Sequence, residues 1–292
     1  MAVRHDRRVS LRAPLAHRPS STGRPVAAST AGRPMGENDA VNATDRHRLI
    51  VEQLALHDRM SVAELAELAG SSEMTIRRDL ELLEGRGALR RVHGGAVRLA
   101  LSATDLPYGM RELTNSGAKD RIGKAAADSL LAGETVILDT GSTTAAVARA
   151  MAGLTLTVTP LSLHSLYALA LGEGIQLMLP GGLVRPGELS IVGSLTEAAF
   201  ADYWYDTFII GCCGITAEHG ATAVDLDDVR VKRAAIKAAR RRIVVATEEK
   251  LGRVTLARIC PVTEIDLLIT DAGEDHETVA ALREAGTGVL CV

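Results

Sequence analysis

Apolar positions recur with helical spacing at the start of the chain and give way, further on, to an alternation of helical and strand-like segments. Leu49, Ile50, Leu54 and Leu56 fall on a helical period that Thr44 can cap and that runs to about His57. Ser61-Val62-Ala63-Glu64 is a capping box opening a second helix, with Val62, Leu65, Ala66 and Leu68 on one face and Gly70 at its end. Ser72 can cap a third helix over 73–84, with Met74, Ile76, Leu80 and Leu83 turned inward and Gly85 and Gly87 bracketing its end. Residues 89–92 and 96–99 read as short strands joined through His93-Gly94-Gly95. Three helices and a hairpin predict a winged helix-turn-helix over 43–98, with the helix-turn-helix itself at about 60–79.

A linker at 99–116 leads to a second domain, 117–292. Helical patterns at 119–131, 144–151, 162–171, 189–202, 227–241 and 277–285 alternate with strand patterns at 135–139, 154–159, 175–179, 207–212, 242–246, 265–270 and 288–292. Such alternation implies a largely parallel sheet covered by helices, with ligands at the C-terminal ends of strands. The expected fold class is therefore α+β multidomain: a winged helix-turn-helix followed by an α/β domain.

Composition adds an asymmetry of charge. The net charge is -3, yet residues 1–36 carry seven arginines and one acid, so the remaining 26 basic and 35 acidic residues make the rest of the chain strongly acidic. Residues 1–42, rich in Pro, Ser and Arg without periodicity, read as a disordered basic extension, either attracted to phosphates or dispensable. Cys212, Cys213, Cys260 and Cys291 lack C-x-x-C spacing, so no metal site or disulfide framework is expected. No apolar run reaches the roughly 18 residues of a membrane span, and no cofactor signature stands out. A cytoplasmic protein without a membrane partner is the expectation.

In a helix-turn-helix the second helix presents its N-terminal side chains to base edges. Here Ser72, Thr75, Arg77 and Arg78 stand there, and Arg90, Arg91 and His93 stand on the wing, where they reach backbone or minor groove. Arginine pairs on surface helices are often only solvated; the capping box, glycine turn and Gly-Gly hairpin together point to double-stranded DNA. Ser-Val-Ala-Glu-Leu-Ala-Glu-Leu at 61–68, Thr-Ile-Arg-Arg-Asp-Leu at 75–80 and Arg-Arg-Val-His-Gly-Gly-Ala at 90–96 resemble the N-terminal domain of the DeoR family of transcription regulators, particularly its glycerol-3-phosphate and sugar-utilisation repressors.

In the second domain, Asp139-Thr140-Gly141-Ser142-Thr143-Thr144 is a strand end that breaks into a loop and opens a helix, an arrangement that suits an anion and equally serves as an ordinary turn. Gly181, Gly182 and Arg185 follow another strand, and Lys232 and Lys250 can supply charge or be plain surface lysines. The resemblance extends through these segments and implies a sensor domain similar in fold to ribose-5-phosphate isomerase and the CoA transferases, binding a phosphorylated sugar or related effector. It also implies homodimers or homotetramers that release operator DNA on binding that effector. Three loops depart from the family pattern, at Thr159-Pro160-Leu161, Gly211-Cys212-Cys213-Gly214 and Ala246-Thr247-Glu248-Glu249-Lys250. Cys213 stands where an isomerase would place a carboxylate base, which argues against the alternative of a sugar-phosphate isomerase with an appended helical domain. Five of the seven aromatic residues, Phe200, Tyr203, Trp204, Tyr205 and Phe208, are expected to pack a helix on a strand, with a subunit contact as the other use of part of the cluster.

Overall fold

The structure, a computed structural model, describes residues 42–85, 88–97, 107–170 and 172–292. The extension at 1–41, the end of the wing at 98–99, Gly87 and the linker at 99–106 lie outside the described residues.

The first helix, α1 (Ala43–His57), is capped by the Asn42 side chain, which accepts from the Asp45 N–H, so Thr44 lies inside the helix and not at its cap. Strand β1 (Arg59–Ser61) leads into α2 (Val62–Leu68), whose capping box is formed as expected: Ser61 accepts from the Glu64 N–H and the Glu64 carboxylate accepts from the Ser61 N–H at 2.7 Å. Helix α3 (Glu73–Gly85) follows, then β2 (Arg90–Val92) and β3 (Gly95–Val97), and the three strands order as β1-β3-β2. Both glycines of the hairpin have a reason. Gly94 turns with φ +76°, and a Cβ on Gly95 would fall 2.2 Å from the Met60 carbonyl of β1. Ile50, Leu54, Leu65, Ile76, Leu80 and Leu83 fill the core. Met74, Leu56 and Leu68 do not join it; they are more than half exposed because each falls outside the narrow stripe that the small domain can cover. Asp79 takes an inward place beside Ile76 and Leu80, where Arg46 Nε donates to it at 2.6 Å and His47 Nε2 lies 2.8 Å away.

Helix α4 (Tyr108–Leu113) and α5 (Ser116–Asp128) lead into the α/β domain. Its elements are β4 (Thr135–Leu138), α6 (Ser142–Ala150), β5 (Leu156–Pro160), α7 (Leu163–Ala170), β6 (Ile175–Leu177), the short pair β7 (Leu183–Val184) and β8 (Ile191–Val192), α8 (Ser194–Ala199) and β9 (Tyr205–Gly211). They continue as β10 (Gly214–Thr216), β11 (Gly220–Ala223), α9 (Leu226–Ala238), β12 (Ala239–Val245), β13 (Ala257–Cys260), β14 (Leu267–Thr270), α10 (Glu277–Glu284) and β15 (Gly288–Cys291). Seven strands form one sheet in the order β15-β14-β12-β9-β4-β5-β6, with every neighbouring pair parallel. Alternate residues of each central strand feed opposite faces: Ile137, Phe208, Val244 and Leu268 pack in one core, and Val136, Ile209, Ile243 and Ile269 in the other. A second sheet, β10-β11-β13, is antiparallel and was not legible as strands. The long helix expected at 189–202 is instead β8 followed by the six-residue α8. The aromatic cluster divides: Phe200, Tyr205 and Phe208 are core, while Tyr203 and Trp204 are 52% and 77% exposed, since they lie in the turn between α8 and β9.

Asp79 ties α1 to α3 and so sets the angle of the presented helix. Burial alone would raise its carboxyl, but hydrogen bonds from Arg46 and His47 outweigh that and hold it below the usual range. Its stabilisation is therefore present above the ordinary aspartate value and is lost as pH falls through the lowered one. Replacing Asp79 by Ala leaves Arg46 and His47 facing an empty socket and is expected to destabilise the domain by about 3 kcal/mol in urea unfolding, with the difference from the parent protein shrinking at acid pH. A pH-independent difference would mean that packing, not charge, fixes α3.

Candidate functional site

Two surfaces follow from this frame. On α3, Ser72 Oγ accepts from the Thr75 N–H at 3.2 Å and lies 2.9 Å from the Thr75 hydroxyl, so the helix start carries a coupled pair of hydroxyls. Arg77 and Arg78 are both exposed, and Arg77 is paired with Glu73 one turn earlier at 2.7 Å. Arg90, Arg91 and His93 are exposed on the wing, and the Arg91 N–H donates to Glu84 Oε1 at 2.8 Å, which joins the wing to the far end of α3. A short helix with hydroxyls at its N-terminus and outward guanidiniums, backed by a basic hairpin, is shaped to touch phosphates and base edges.

The second surface lies in the sheet. After β4 the chain moves outward to β5 and β6, then returns to place β9 on the other side of β4. The order therefore reverses between β4 and β9, and a crevice opens beyond the ends of these two strands. A cavity of about 280 Å³ occupies this place, lined by residues 140–144, Gly211, Cys213, Thr247 and a set of charged side chains. Under it lies the buried pair Asp139–Lys232, in which Lys232 Nζ donates to Asp139 Oδ2 at 2.5 Å and to the Gly211 carbonyl at 2.8 Å. Asp139 Oδ2 also accepts from the Gly211 N–H at 2.8 Å, so one carboxylate binds the ends of β4 and β9 together. Burial pulls the Lys232 amine down, but facing Asp139 and Asp228 more than offset this, and its pKa is raised.

Of the residues read from the sequence, Thr140, Gly141, Ser142, Thr143, Thr144, Arg185, Lys232 and Lys250 all line this cavity. Gly141 caps α6 with φ +131°, and the first N–H groups of that helix have no partner within it. Thr140 Oγ1 is buried without a hydrogen-bond partner. Asp139 lies beneath the cavity, engaged with Lys232. Gly181 and Gly182 do not line it: a Cβ on Gly182 would fall 2.0 Å from Thr196 Oγ1, and Thr196 donates to the Gly181 carbonyl at 2.8 Å, so this pair serves the contact of the β7–β8 hairpin with α8. Of the three divergent loops, Cys213 and Thr247 reach the cavity, whereas Leu161 is buried and away from it.

Sequence reasoning missed Arg111, Lys119, Glu188, Asp225 and Asp228, which also line the cavity. Lys119 carried a signal, since it shares the inward face of α5 with Ile122 and Ala126. Its ammonium donates to the carbonyls of Arg111 and Thr114, and burial lowers it to about 8. Cys212 is pushed by burial up to about 12, which leaves it a protonated, unreactive thiol.

Comparison with known proteins bears on both surfaces. Residues 46–100 match the DeoR-like helix-turn-helix domain, and residues 114–272 match the DeoR C-terminal sensor domain. The chain is 34% identical over 249 residues to the HTH-type transcriptional regulator GlpR of Haloferax volcanii, covering 84% of this chain and 96% of that protein. It is 31% identical over 230 residues to the glycerol-3-phosphate regulon repressor of Escherichia coli K12, covering 78% and 91%. Over 222 residues it is 34% identical to the transcriptional repressor GlcR of Bacillus subtilis, covering 76% and 86%. Among solved structures, ribose 5-phosphate isomerase A of Methanocaldococcus jannaschii matches 47% of this chain and 55% of its own, with 20% identity and a TM-score of 0.35.

Lys232→Met strands the buried Asp139 carboxylate and is expected to cost about 3–5 kcal/mol in chemical denaturation, much of which Asp139→Asn restores when added to it. A double variant as unstable as the single one would show that the two charges do not depend on each other.

Proposed function

Because the chain belongs to the DeoR family of transcription regulators, we propose that it is a cytoplasmic repressor of a carbohydrate or polyol catabolic operon, freed from its operator when a phosphorylated metabolite fills the cavity between β4 and β9. The observation that carries this reading is a convergence. The open N-terminus of α6, the unpartnered Thr140 hydroxyl and several cations meet in one small space at the switch point of the sheet. Its volume is at the small end of ligand pockets, ~300–1,000 Å³, and fits a metabolite of sugar or polyol size with one phosphate. The similarity to a glycerol-3-phosphate regulon repressor of Escherichia coli supports the same class of effector.

DNA binding proceeds through Ser72, Thr75, Arg77 and Arg78 in the major groove, with Arg90, Arg91 and His93 on the flanking backbone. Two copies related by a two-fold axis then read half-sites ~34–36 Å apart, as a homodimer or a pair of dimers. The effector acts by favouring the arrangement that does not fit the operator.

Arg78→Ala is expected to weaken operator binding in a mobility-shift titration by about 1–3 kcal/mol while the melting temperature stays unchanged; equal affinity would remove Arg78 from the interface. For the cavity, Gly141→Val combines backbone strain with a side chain in the anion's place. The operator complex of this variant should no longer dissociate under a panel of phosphorylated sugars and polyols, one of which releases the parent protein. A retained response would move the effector elsewhere.

A further inference from the structure

Helix α4 has two faces that belong to different parts of the molecule. Met110 is buried in the winged-helix core and Leu113, three residues on, packs against the same cluster. The other stripe, Tyr108 and Arg111, faces the sensor: the Tyr108 ring stacks on His164 of α7 with centroids 3.5 Å apart, and Arg111 lies over Tyr108 and lines the cavity. Between them Glu112 pairs with Arg149 of α6 at 3.3 Å. Lys119, which lines the cavity, donates to the carbonyls of Arg111 in α4 and of Thr114 at its C-cap.

The cavity's charges are already matched. Five cations line it, Arg111, Lys119, Arg185, Lys232 and Lys250, against four carboxylates, Glu188, Asp225, Asp228 and Glu249, and Asp139 beneath makes the fifth. Arg185 is held by Asp228 at 2.6 Å and Asp225 at 3.3 Å, Lys232 by Asp139, Lys250 by Glu249 at 3.4 Å, and Arg111 by Glu188. Lys119 is held instead by backbone carbonyls; to engage any of the other four cations, an entering phosphate has to take it from a carboxylate. Arg111 differs from the other four in riding on a helix whose opposite face is packed in the DNA-reading domain. Its partner Glu188 sits in the β7–β8 hairpin beside Leu189, which is held at φ +50°, a conformation costly for a branched side chain. The carboxylate facing Arg111 is thus on a strained loop, and Arg111 itself is on the linking helix.

We propose that Arg111 is an effector-binding residue, and that the phosphate of the ligand takes it from Glu188, so that occupancy of the cavity is read by the helix packed against the winged-helix core. This rests on the cavity being the effector site. The guanidinium exchanges one bidentate-capable anion for another, and no proton or covalent change is involved.

The test uses full-length protein and inorganic phosphate as the probe, with affinity measured by calorimetry for the parent, Arg111→Gln, Glu188→Gln and Gly141→Val. Both of the first two changes break the same ion pair, so a merely structural role would move phosphate affinity in one direction. The proposal expects opposite directions: roughly tenfold weaker for Arg111→Gln, which loses a charged donor, and roughly tenfold tighter for Glu188→Gln, which loses the competitor. With a panel compound that releases the parent from operator, the ratio of operator dissociation constants with and without it, ~5–150 in coupled systems, should fall towards one in Arg111→Gln. If phosphate binds the parent and not Gly141→Val, yet the Arg111 and Glu188 variants shift together or keep the parent's ratio, this role of Arg111 is overturned while the site stands. Phosphate binding that Gly141→Val leaves untouched, or no binding at all, overturns the site and the role of Arg111 together.

Discussion

The sensor half depends on one buried charge pair. Asp139 and Lys232 lie at the point where β4 and β9 diverge, and Asp139 holds the Gly211 N–H while Lys232 holds the Gly211 carbonyl. Ions at such depth are costly unless they are paired and hydrogen-bonded, and here each ion has the other and the Gly211 backbone as partners. Their geometry keeps the two strand ends in register and leaves open space above them. The loop from β4 then has to turn at Gly141, where the backbone takes a conformation that glycine accepts, and the N-terminus of α6 comes to face the crevice.

The DNA-reading half uses the same device on a smaller scale. Arg46 and His47 of α1 meet Asp79 on the inner side of α3, and the rest of α3's inner side is aliphatic. Dispersion and area burial hold the helices together without fixing a rotation about the helix axis; a directional charged contact fixes it. Thr75 and Arg78 consequently leave the domain on a defined side.

What could be read from the sequence was whatever depends on local pattern. The capping box at Ser61, the Gly94-Gly95 turn and the helix–strand alternation each arise from neighbours within a few residues, and the loop at 140–144 was recognisable because a strand, a glycine and hydroxyls are adjacent in the chain. The acids that balance the cavity were not recognisable. Glu188, Asp225 and Asp228 look like solvated charges until the β7–β8 hairpin and α9 are folded over the strand ends. Strands β10, β11 and β13 pair antiparallel, with a bulge between β11 and β13, and unlike the equally short but apolar β4 and β14 they are interrupted by Gly, Thr and Arg, so no strand pattern emerges. Gly181-Gly182 shows the opposite error: a glycine pair after a strand suggests ligand approach, but here it makes room for the Thr196 side chain.

The order of the sheet also bears on how the molecule is made. The winged helix closes through contacts within some tens of residues, whereas the crevice needs β4 beside β9, joined for example by Thr135 and Asp206, 71 residues apart. Contacts of long sequence separation form later, and a chain leaving the ribosome N-terminus first exposes its reader before its sensor can exist. Met110 shifts this order, because the core of the reader is incomplete until the linking helix has been synthesised. The part of the molecule that can act on the genome thus finishes folding only with the segment that will hold it to its controller.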